Sequence, residues 1–136
     1  MLAFWRLQLR VCATFETGFG LSTKSGLLEM KGFIQVFTTV EDKEDANKIG
    51  EMLLEKRLVG CVQIMGPVLS MYWWKGNVER AEEWLCLINS ERSLCGQLEK
   101  AIREVHPYET PEIIAVPVVC GSENYLEWLR NELKKE

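Results

Sequence analysis

A single histidine, His106, stands in the whole chain. A metal site built mainly from imidazole is therefore excluded within one chain, because such sites draw on three or four protein ligands. None of the cysteines Cys12, Cys61, Cys86, Cys95 and Cys120 forms a CxxC pair with another, which removes zinc knuckles and dithiol redox motifs. Their odd number and irregular spacing read as reduced thiols in a cytoplasmic compartment. Positive charge is not in excess: 16 Lys and Arg face 20 Asp and Glu, for a net charge of −4. The basic footprint that nucleic acid or an anionic membrane surface requires is absent. No apolar run approaches the roughly 18 residues of a membrane-spanning helix. There is also no GxSxG, no HExxH and no P-loop. Cys61 with His106 would make a thiol dyad only if a third group oriented it, and none is identifiable. The expectation is a binding protein, not an enzyme.

What is present is enough for one domain with a real core: 136 residues, 47% of them hydrophobic. Residues 1–31 read differently from the rest. Phe4, Trp5, Leu7, Leu9 and Val11 alternate with Arg6 and Arg10, and a loose run rich in Gly, Ser and Thr follows from Thr17 to Gly26. The apolar part is too short and too charged for a secretory leader, and no small-x-small cleavage site follows clearly. Residues 1–31 are expected to be an extension, a disordered or non-native start with Met30 as an alternative initiator, and residues 32–136 the folded domain.

From Phe33 the pattern sharpens. Phe33 to Thr39 is aromatic and β-branched without a breaker, a strand. Thr39 and Asp42 resemble a helix start, with a helix running to Leu58 and stopped by Gly60. Cys61 to Met65 begins a second strand, Gly66-Pro67 interrupts it as a bulge or edge, and Val68 to Trp74 resumes it. Lys75-Gly76-Asn77 is a hairpin turn, and Val78 to Asn89 returns. Ser90 is placed as the cap of a helix whose apolar face is Leu94, Leu98, Ala101, Ile102 and Val105, ended by Pro107. Ile113 to Val119 is a fourth strand. A last helix carries Tyr125, Leu126, Trp128, Leu129 and Leu133.

The order βαββαβ plus a terminal helix predicts an α+β, ferredoxin-like sandwich: a four-stranded antiparallel sheet with two helices on one face. The central hairpin is about twice the usual strand length. Its tip carries Tyr72, Trp73 and Trp74, a large apolar patch if left in water. Long exposed ladders are normally paired or blunted, so pairing with neighbouring subunits is expected, with Tyr72, Trp73 and Trp74 at the interface.

Several strings resemble one family. Glu55 to Val62 (EKRLVGCV) resembles the EKRLAACV signature of the CutA divalent-cation tolerance family. Tyr72 to Gly76 (YWWKG) resembles its Y-x-W-K-G hairpin tip. Glu83 stands where the family has an acid on the third strand. His106 to Ile113 (HPYETPEI) and Tyr125 to Leu129 (YLEWL) follow in the family's order, between about Phe33 and Lys135. The resemblance implies a PII-like homotrimer in which long hairpins extend the sheets of adjacent subunits, and a role in divalent-cation tolerance with copper foremost. It also shows departures. Some members carry a cysteine where this chain has Thr38, a second histidine where it has Val105, and usually a lysine where it has Asn89.

The candidate residues form two groups. His106 and Cys61 supply an imidazole and a soft thiolate, which suit copper first and zinc next. With the partners at Thr38 and Val105 missing, any such site is expected to be weak and to draw on neighbouring subunits. Tyr72, Trp74, Glu83, Tyr108 and Glu109 form the expected ligand cleft, because the loop after His106 is held by two prolines and rigid loops build sites. A PII-like trimer that binds a small anion or a protein partner at its subunit clefts is the alternative, and it needs no metal.

Overall fold

The computed structural model describes residues 32–135. The expected N-terminal extension, residues 1–31, lies outside the described residues. Strand β1 (Phe33–Val40) is followed by helix α1 (Lys43–Glu55), then by β2 (Cys61–Trp74) and β3 (Asn77–Glu91). A 3₁₀ turn (Arg92–Leu94) leads into α2 (Cys95–Val105), then β4 (Ile114–Pro117) and α3 (Glu123–Glu132). The sheet order is β2-β3-β1-β4 with every pairing antiparallel. This is the ferredoxin-like arrangement expected from the element order.

Alternation along β1 explains the layering. Ile34, Val36, Thr38 and Val40 are buried on one face, opposite Ser90, Ile88, Cys86 and Trp84 of β3. Against this face pack Ala46, Ile49 and Leu53 of α1 and Leu98, Ala101 and Ile102 of α2. Each large side chain fully buried there contributes roughly 1.5–3 kcal/mol. Asp42, with extended backbone, caps α1 by accepting the Glu44 N–H at 2.9 Å, so the helix starts at Asp42 rather than Thr39.

Local expectations fail where tertiary contacts override them. Ser90 does not cap α2. It lies fully buried in β3, and its hydroxyl donates to the Leu58 carbonyl at 2.6 Å. Val105, placed on the buried face of α2, is exposed. Helix α1 ends at Glu55, and Arg57 turns the chain with a positive φ of 55°. Gly60 therefore has a different role: a Cβ there would collide with the Leu129 side chain of α3. The fourth strand is four residues, shorter than Ile113 to Val119.

The hairpin is as long as expected. β2 has 14 residues and β3 has 15, with a register shift between Met65 and Val68 at the Gly66-Pro67 interruption. Lys75 and Gly76 have φ of 48° and 85°, the two positive values of a tight two-residue hairpin turn, and Asn77 already pairs with Trp74. β1 pairs with β3 only from Trp84 to Glu91, so among the described residues Asn77–Glu83 pairs with β2 alone. About seven residue pairs thus project beyond the sheet, on the order of 20 Å of two-stranded ribbon.

Candidate functional site

The root of this projecting ribbon forms one wall of a cleft of about 660 Å³. Ser70, Met71, Tyr72 and Trp74 come from β2, Glu83 from β3, and Thr39 and Glu41 from the end of β1 and the residue after it. The loop between α2 and β4 closes the other side with Tyr108, Glu109, Thr110 and Glu112. All five residues of the expected ligand cleft, Tyr72, Trp74, Glu83, Tyr108 and Glu109, line it. Trp73 does not. It is 74% exposed near the ribbon's tip.

Glu83 is the centre of the cleft's chemistry. It is only 5% exposed, yet its two oxygens are engaged by neutral groups alone. The Ser70 hydroxyl donates to Oε2 at 3.2 Å, and the Tyr108 hydroxyl donates to Oε1 at 3.3 Å. Among the described residues, no Lys or Arg pairs with it within 4.0 Å. Glu41, Glu109 and Glu112 add three more carboxylates, and no basic side chain lines the cleft. Burial, and then the negative charge of Glu83, push the Tyr108 phenol well above its ordinary value, so it stays a hydrogen-bond donor.

His106 sits behind the cleft as a fastener for the loop. The Tyr108 backbone N–H donates to Nδ1 at 3.1 Å. That nitrogen is therefore unprotonated, and Nε2–H points at the Thr39 carbonyl and the Thr38 hydroxyl, both at 3.1 Å. The Tyr108 ring meets the imidazole edge-on with centroids 5.0 Å apart. Burial lowers the His106 pKa below its ordinary value, while the Thr39 carbonyl and the carboxylates Asp45 and Glu83 pull the other way. Both ring nitrogens are thus in use within the subunit.

Cys61 lies elsewhere. It opposes Asn89 on β3, which in turn opposes Gln35 on β1, whereas His106 touches Thr38 and Thr39 further along that strand. The separation is on the order of 10 Å or more. The structure does not bring the two expected metal ligands together within one subunit. No group of three His, Cys, Asp or Glu side chains able to hold a metal ion occurs among the described residues. Around Cys61 the sheet carries a polar chain instead. Gln35 donates to Asn89 at 3.1 Å, and Asn89 donates to the Tyr125 hydroxyl of α3 at 2.9 Å.

Sequence reasoning missed Thr39, Glu41, Ser70, Met71, Thr110 and Glu112 in the cleft. Ser70 was within reach, because strand alternation places it on the face of Tyr72 and Trp74. Glu41 had no local signal: it lies in an acidic run that reads as solvated surface.

Residues 34–132 match the family model described as CutA1 divalent ion tolerance protein. The chain belongs to the CutA1 family. It is 37% identical to the divalent-cation tolerance protein CutA of Pyrococcus horikoshii over 102 residues, covering 75% of this chain and 99% of that protein. It is 35% identical to the chloroplastic protein CutA 1 of Oryza sativa, again over 75% of this chain but 58% of the rice protein. Against human protein CutA it is 40% identical over 69% of this chain and spans about half of the relative, 52%. Among solved structures, CutA1 from Oryza sativa superposes with a TM-score of 0.75 at 34% identity, covering 79% of this chain and 98% of that one. The Thermus thermophilus protein gives 0.73 at 35%, with coverage of 75% and 99%. CutA membership gives Thr38 a particular meaning. Where some members place a cysteine, this chain has a fully buried hydroxyl spent on His106.

Proposed function

We propose that the chain acts as a homotrimeric cation-tolerance protein whose Glu83 cleft takes divalent cations weakly, copper ahead of zinc. The observation that supports this most is Glu83 itself. A carboxylate removed from water and held only by two hydroxyls lacks the opposite charge that makes burial favourable. A cation entering the cleft supplies it, and Glu41, Glu109 and Glu112 raise the local cation concentration. The same four carboxylates argue against the small-anion alternative. Weakness follows from the geometry. No three donors converge, so the ion keeps much of its water, and preference follows the general affinity order in which copper(II) exceeds zinc.

Trimerisation is supported by three unfinished surfaces. Among the described residues the ribbon's edges are unpaired beyond Trp84, and along its length Leu69, Met71, Trp73 and Val78 are exposed. The sheet face away from α1 and α2 leaves Met65, Ile114 and Val116 exposed. The edge of β4 beyond β1 is unpaired. A neighbouring ribbon laid along such an edge would pair it and cover part of this apolar surface. A binding role fits better than a catalytic one, because Thr38, the hydroxyl nearest His106, is fully buried and out of a substrate's reach. Burial also pushes the Cys86 thiol up to about 11, making it a poor nucleophile. Cys61, Cys86, Cys95 and Cys120 are free thiols, which suits a reducing, cytoplasmic setting.

Calorimetric titration with copper(II) and zinc tests the cleft. Glu83→Gln should weaken both by about tenfold or more, since the central charge is lost. His106→Ala and Cys61→Ser report on the other pair of ligands. If they abolish binding while Glu83→Gln does not, the cation sits at an imidazole–thiolate site assembled between subunits, and the cleft assignment is wrong.

A further inference from the structure

Resting on the reading of the Glu83 cleft as a cation site, we propose that its preferred occupant is a small organic ammonium ion, seated against the rings of Tyr72 and Tyr108 with its charge opposite Glu83.

Size is the first argument. A volume of about 660 Å³ is that of a small-molecule pocket and far exceeds what a bare metal ion fills. Charge distribution is the second. Four carboxylates line the walls, yet no three His, Cys, Asp or Glu groups gather closely enough to hold a metal ion among the described residues. Such dispersed acids suit a cation whose charge is spread over, or repeated along, a carbon skeleton. The lining itself is the third. The rings of Tyr72 and Tyr108 share the cleft with a nearly buried carboxylate that no Lys or Arg among the described residues neutralises. Aromatic faces attract alkylammonium groups through their quadrupole, and a bare hydrated metal gains little from them.

The test is calorimetric titration of the full chain with tetramethylammonium, 1,4-diaminobutane, zinc, and tert-butanol as a neutral isostere of the first. Saturable binding of at least one ammonium probe is expected, without binding of tert-butanol. Glu83→Gln should weaken both ammonium and zinc. Tyr72→Leu, which keeps the position apolar, should weaken the ammonium probe by roughly two- to thirtyfold and leave zinc unchanged. Melting temperature and particle mass of each variant show whether it is folded and assembled. Should Tyr72→Leu disturb assembly, Tyr108→Leu compared with Tyr108→Phe separates the loss of the ring from the loss of the hydroxyl that Glu83 accepts from. Zinc binding without ammonium binding overturns this inference and leaves the cation cleft standing. Absence of both overturns both. Ammonium binding that is indifferent to the aromatic substitutions also overturns it.

Discussion

The sheet has two halves that obey different rules. From Trp84 to Glu91, β3 is flanked by β1 and β2 and roofed by α1 and α2, and every second residue is buried. From Asn77 to Glu82 the same strand has one neighbour, no helix above it, and scarcely any buried side chain. Strand-forming residues occur in both halves of the hairpin, with Val, Leu, Tyr and Trp in the ribbon and Val, Ile, Leu and Trp in the roofed part. They differ in partners. The roofed half completes itself within one subunit. The ribbon carries apolar side chains that no other described residue covers, and the cleft sits at the boundary between the two halves.

Substitutions can break or sharpen this contrast. The largest effect belongs to the roofed half: Ile102→Ala, fully buried on α2, should lower stability by about 2–5 kcal/mol in urea unfolding. Gly60→Ala drives a methyl group into Leu129 and should cost about 1–3 kcal/mol, because that fully buried side chain must repack. Trp73→Glu in the ribbon should cost little within a subunit but shift assembly toward smaller species. The melting temperature of wild type but not of this variant should then depend on protein concentration. A concentration-independent wild-type melt would mean that the ribbon is as self-sufficient as the roofed half.

Two weaker effects sit at the boundary and the rim. His106 is neutral in the folded chain, with its pKa lowered chiefly by burial. Its contribution is therefore fully present above the unfolded value of about 6.5 and is lost as pH falls through the folded value. Stability should decline below about pH 6.5, and His106→Gln should flatten that part of the profile. A profile identical in both proteins would show that the loop fastening does not depend on the imidazole's charge. Arg130→Ala removes an ion pair with Glu91 at 2.9 Å, exposed at the arginine and partly covered at the glutamate, together with a stack on Phe33, and should cost about 1 kcal/mol.

The architecture was legible because it rests on local signals. Alternation in β1, the helical stripe of Leu98, Ala101 and Ile102, and the Lys75-Gly76 turn each declare their element without knowledge of the rest. Ser90 was misread for the opposite reason: a serine before an apolar helix has the composition of a cap, and only the Leu58 carbonyl, 32 residues away, explains its place in β3. The cleft was half legible. Tyr72, Trp74 and Glu83 come from facing strands of one hairpin, and Tyr108 and Glu109 from a proline-held loop. Glu41 and Thr110 reach it only through the fold. His106 was the reverse case. Its residue type advertises a ligand, but its surroundings engage both nitrogens in holding the loop.

Multi-angle light scattering of the full chain across a dilution series tests the contrast between the two halves most directly. The unfinished ribbon predicts a single species at three times the 15.7 kDa chain mass, persisting at low concentration and shifted downward by Trp73→Glu. A stable 15.7 kDa particle, with the ribbon's tryptophans in water and the melting temperature unchanged by dilution, would contradict it.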